Sequence, residues 1–145
     1  MWAYKSSSGK TYNLFISHSW SYSDQYNGFV DLLNKDSSFT YKNYSIPKND
    51  PVHTNGTDKE LKEAIKNKIA PSSIVIIMAG VYSTYSKWID KEIDIAKNGF
   101  SDPKPILGVK PWAQTNVSTK VQDNADKIVG WNSATIIKAI KDLCD

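Results

Sequence analysis

The chain has 145 residues and a formal net charge of +3, with 40% hydrophobic and 12% aromatic residues. That balance fits one globular domain spanning 1–145, its core about 11–143, and argues against disorder. All eighteen basic residues are lysine; without arginine's planar fork for reading guanine edges, no specific nucleic acid is expected as a partner.

The N-terminal stretch "MWAYKSSSGKTYNL" has no long apolar segment and does not read as a secretory signal. The longest apolar run, 74–81 with Gly80 inside it, is far too short to span a bilayer, so no membrane association is expected. The lone Cys144 cannot form an internal disulfide, which points to a reducing, cytoplasmic setting. There the three sequons at Asn43, Asn55 and Asn116 carry little weight.

In chain order, "YNLFIS" at 12–17 predicts a short buried strand. A helix follows in "SYSDQYNGFVDLLNK", with Tyr26, Phe29, Val30 and Leu33 at helical spacing. "TYKNYSIP" reads as a weak extended piece and "KNDPVHTNG" as a polar loop. Thr57 with Glu60 three residues on forms a capping box for a helix whose apolar stripe is Leu61, Ala64, Ile65 and Ile69, ended by Pro71. "SIVIIMAG" is the clearest strand, its continuous apolar run suited to burial on both faces.

The next helix contains "YSKWIDKEIDIAK", 85–97, and stops near Asn98-Gly99. At about 100° per residue, Lys87, Asp90, Lys91, Asp94 and Lys97 share one side, and Trp88, Ile89, Ile93, Ile95 and Ala96 the other. Glu92 projects from the middle of the apolar arc. "KPILGVKP" and "KIVGW" read as two further strands with a short helix between them. A last helix from near Ser133 carries Ile136, Ile137, Ile140 and Leu143 inward. Strands alternating with helices imply a parallel sheet covered on both faces, and five strands in this length point to a flavodoxin-like, doubly wound α/β fold. Its ligand crevice would lie outside the carboxyl ends of the strands, among the loops after Ser17, Pro47, Gly80 and Val109.

Several motifs fail on inspection. "SSSGKT" has Tyr4 where a phosphate-binding loop needs its first glycine, and it precedes the first strand instead of following one. No G-x-G-x-x-G occurs, and "SHSW" replaces the acidic residues that a phospho-acceptor receiver needs after its first strand. His18 and His53 with one distant cysteine make no metal set, so no metal is expected. Glu92 stands up better. Its helix follows the central strand and borders the expected crevice, where Tyr82, Tyr85 and Trp88 offer a surface for a flat ring. In "FISHSW", Ser17, His18 and Ser19 could donate hydrogen bonds to a ligand there; ordinary loop and cap chemistry is the plainer alternative.

"YNLFISHSW", "YSIPKNDPV", "IVIIMAGVYSTYSKWIDKEIDIA" and "KPILGVKPW…IVGWNSATIIKAI" together resemble the TIR-like family, in the bacterial and archaeal branch that includes the TIR subunit of Thoeris anti-phage systems. The resemblance runs over about 11–143; its most specific part is Ser-x-Trp with Glu four residues after the Trp. By that resemblance, Glu92 is the catalytic residue for cleaving NAD+, a substrate with no cofactor beside it. Phe15, Ser17 and His18 then border the adenine or ribose side. The 47–57 loop corresponds to a mobile assembly and gating loop, with Asp50 a further candidate. The resemblance also implies release of nicotinamide, a cyclic ADP-ribose-type signal that activates a separate effector, self-association and a phage-derived trigger. Two other readings stay open: a non-enzymatic interaction module, and a sensor that binds a nucleotide without cleaving it.

Overall fold

The computed structural model describes residues 10–17, 25–45, 57–79, 86–110 and 118–145. The strands are β1 (Thr11–Ile16), β2 (Thr40–Asn43), β3 (Ile74–Met78), β4 (Ile106–Val109) and β5 (Lys127–Val129). The helices are α1 (Gln25–Asn34), α2 (Asp58–Ile69), α3 (Ser86–Asn98), α4 (Thr119–Asn124) and α5 (Ser133–Cys144). All strand pairs are parallel, and the sheet order is β2-β1-β3-β4-β5. This is the expected flavodoxin-like topology. The order reverses direction between β1 and β3, which makes that junction its switch point.

Period-two alternation along the strands divides the core into two layers. Leu14, Ile16, Ile74, Ile76, Leu107 and Val109 pack with α1 and α5, through Phe29, Leu33, Ile136 and Ile140. Phe15, Val75, Ile77, Ala79 and Ile106 pack on the opposite face with α2, α3 and α4, through Ile65, Ile69, Ile89, Ile93 and Val121. β1, β3 and β4 are thus covered on both sides, as their unbroken apolar sequences demand. β2 lies at the sheet's edge and is mostly exposed, hence its weak signal in the sequence.

Local chemistry fixes the helix ends. The Thr57 hydroxyl accepts from the Glu60 amide while the Glu60 carboxylate accepts from the Thr57 amide, the reciprocal capping box. The Lys104 ammonium donates to the Ser72 and Ala70 carbonyls just past α2 and sits over the Phe100 ring, a placement that complements the negative end of the helix dipole. At the end of α3, the Gly99 amide donates to the Ile95 carbonyl; a Cβ at Gly99 would lie 2.6 Å from that oxygen. Leu143 in α5 is only partly buried, packed against the core edge.

α2 and α3 are joined by charge. Lys91 meets Asp58 at 2.9 Å, and Lys62 pairs with Asp94, which also accepts from the Asn98 side-chain Nδ2 at 2.9 Å. Lys62 first, and Asn98 next, hold the Asp94 carboxyl below the usual carboxylate range.

Two outcomes follow from this packing. A Cβ at Gly108 would stand 3.1 Å from Val121 and 3.3 Å from Ile128, so Gly108→Val is expected to lower the free energy of urea unfolding by about 1–3 kcal/mol. Asp94's folded pKa lies below its unfolded value, so its contribution is complete above about pH 4 and disappears as pH falls through the folded value. The Lys62 and Asp94 side chains are 45% and 43% exposed, so screening keeps the effect small. Asp94→Asn should cost under about 1 kcal/mol at pH 7, and its unfolding curve should merge with the wild type's in acid.

Candidate functional site

Ser17 follows β1 directly and keeps the strand's alternation, so its side chain takes the same face of the sheet as Phe15. Its backbone amide donates to the Ile76 carbonyl at 2.8 Å, extending the β1–β3 ladder by one bond at the carboxyl end. Ser17 is 1% exposed. Phe15, one pleat below it, is fully enclosed.

Glu92 reaches the same place from the helix. α3 follows β3 and lies on this face with Ile89, Ile93, Ile95 and Ala96 buried and Asp90 exposed, as the sequence periodicity requires. Glu92, set among those apolar positions, is 0% exposed. The Ser17 hydroxyl donates to Glu92 Oε1 at 2.5 Å. That length suits a hydroxyl-to-carboxylate hydrogen bond, and a carboxylate taken out of water needs such a bond.

The pair forms at the carboxyl end of the sheet, at the β1–β3 switch point. Doubly wound sheets bind their ligands outside this edge. Chemically, a fixed buried carboxylate stabilises positive charge and meets hydroxyl groups of a bound ligand. Among the described residues, two surface cavities lie elsewhere. One of about 480 Å³ runs between α5 and the turn after α1, lined by Lys35, Ile137 and Lys141 among others. Another of about 290 Å³ lies between α2 and α3, beside Lys62 and Asp94. Neither includes Glu92.

Of the residues singled out in the sequence, the structure brings Phe15, Ser17 and Glu92 to one face at this edge. His18, Ser19, Asp50 and Tyr82 lie outside the described residues, as does the side chain of Trp88. The direct bond from Ser17 to Glu92 was not foreseen; the sequence suggested Ser17 as a donor to ligand. Among the described strand ends on this face, Ile77, Ala79 and Gly108 have no side-chain donor and Ser17 has one, but seeing this requires the strand order as well as the sequence.

The family model described as "Thoeris protein ThsB, TIR-like domain" matches residues 15–116. This span begins within β1, ends beyond β4 and includes both Ser17 and Glu92. No curated protein matches the chain. The family match covers more than half the sequence and agrees with the strand order, so the chain belongs to the TIR-like domain family of the Thoeris defence protein ThsB.

Proposed function

We propose that the chain, read as one TIR-like domain, cleaves the bond between nicotinamide and ribose in NAD+, with Glu92 as the catalytic carboxylate. The observation that carries this reading is the burial of Glu92 at the sheet's switch point, held there by Ser17. Membership of the Thoeris family supports it.

Heterolysis of the C1′–N bond sends the electron pair to the pyridinium nitrogen, so nicotinamide leaves neutral. The ribose is left with oxocarbenium character. A carboxylate fixed in a water-poor site lowers the energy of that charge and accepts hydrogen bonds from the ribose hydroxyls. Water then adds and loses a proton to give ADP-ribose, or the adenine end attacks first to give a cyclic isomer. The signalling role favours the cyclic product, which would activate a separate effector protein. No metal or second cofactor enters these steps; NAD+ is itself the substrate. Phe15, Ser17, His18 and Asp50 are assigned to the nucleotide by resemblance, and Ser19, Tyr82 and Trp88 by their place in the sequence beside the expected crevice. Self-association and a phage-derived trigger would switch on the activity in the cytoplasm. No helix among the described residues is long and apolar enough to cross a membrane.

One observation favours a second reading. Glu92 is 0% exposed and hydrogen-bonded to a buried serine, which is also how a purely structural polar pair looks. On that reading the chain is a TIR-like interaction or nucleotide-sensing module.

Chromatography of NAD+ and its products separates the two, comparing wild type with Glu92→Gln at high protein concentration, with and without lysate from phage-infected cells. The exchange keeps the shape and the acceptor oxygen for Ser17 but removes the charge. Nicotinamide release by wild type, reduced at least about 100-fold in the variant, is the expected result. A folded wild type that is silent in every condition, or a variant that matches it, would transfer the case to the interaction module.

A further inference from the structure

We propose that Ser17 is a positioning residue: it acts on the reaction through the Glu92 carboxylate and not through contact with NAD+. This inference rests on the reading of Glu92 given above and departs from the nucleotide-binding role that the resemblance assigns to Ser17.

The geometry carries it. The only donor proton of a serine hydroxyl goes to Glu92 Oε1 at 2.5 Å. Both ends of that bond stand on rigid elements. The Ser17 amide is locked to the Ile76 carbonyl, and Phe15 below it is fully buried. α3 is fixed by Ile89 and Ile93 in the core and by ion pairs from Lys91 to Asp58 and from Lys62 to Asp94. A glutamate has three side-chain torsions and would sample several rotamers unaided. A bond from the strand end favours one of them and holds Oε1. Reaction rates depend steeply on such placement, since a displacement of about 1 Å can cost about 100-fold.

The substitution series uses the full chain: Ser17→Ala, Ser17→Thr, Glu92→Gln and the double variant Ser17→Ala/Glu92→Gln. For Ser17→Ala, kcat should fall about 10- to 100-fold, with KM for NAD+ staying within about threefold of wild type. Ser17→Thr, which keeps the hydroxyl, should restore most of the loss. The double variant should be no slower than Glu92→Gln alone, because the serine acts through the carboxylate. Ser17→Cys, nearly the same size but a weak donor, carries the same expectation should the alanine variant not fold. A raised KM with unchanged kcat would make Ser17 a direct nucleotide contact and overturn the proposal. So would unchanged kinetics, or losses that multiply in the double variant.

Crystal structures of wild type and the Ser17 variant give a readout independent of turnover. If wild type consumes no NAD+, the enzymatic reading of Glu92 fails by itself, while the positioning claim is still decided here. A Glu92 carboxylate that moves by more than about 1 Å, or splits into two conformers, supports it; one that stays in place refutes it.

Discussion

Three central strands without a solvent-facing side set the terms for everything else in this fold. Leu14, Ile16, Ile74 and Ile76 need cover on one face, while Phe15, Val75 and Ile77 need it on the other. Parallel pairing already demands a crossover between successive strands, and a helix is the economical crossover. α3 therefore returns over the face that Phe15 presents, and its apolar arc lies against the sheet. Any residue in the middle of that arc is enclosed, whatever its chemistry. Glu92 occupies such a position, so its burial follows from the fold.

The energetics give that burial meaning. An unsatisfied buried hydrogen-bonding group costs about 1–3 kcal/mol, and more if it is charged. The Ser17 hydroxyl offsets part of this, but two apolar side chains of similar volume would serve the core at least as well. A polar pair at the ligand-binding edge of a doubly wound sheet thus contributes little to stability that packing could not supply. On the proposed reading it serves chemistry at that edge. The chain's family is that of the Thoeris defence protein ThsB.

Much of this was legible in the sequence, for identifiable reasons. The run Ile74–Met78 could only be a strand buried on both faces, and Thr57 with Glu60 announced the start of α2. Glu92 was conspicuous because helical periodicity alone puts it among isoleucines. β2 was the hardest element to delimit: as an exposed edge strand of four residues it carries little apolar pattern. The bond from Ser17 to Glu92 was not legible, because the two residues are 75 positions apart. Finding it requires the strand order, the pleat of β1 and the face chosen by α3 all at once, and periodicity within one segment supplies none of these. The same holds for the link between Lys62 and Asp94, which depends on how two helices lie against each other.

The most direct measurement is a crystal structure of Glu92→Gln in complex with NAD+, where binding is separated from turnover. The expected result is the ribose next to nicotinamide within hydrogen-bond distance of the side chain at position 92, outside the carboxyl ends of β1 and β3. A nucleotide bound at another edge would contradict it. So would a saturated crystal in which position 92 stays enclosed against Ser17 with no nucleotide beside it.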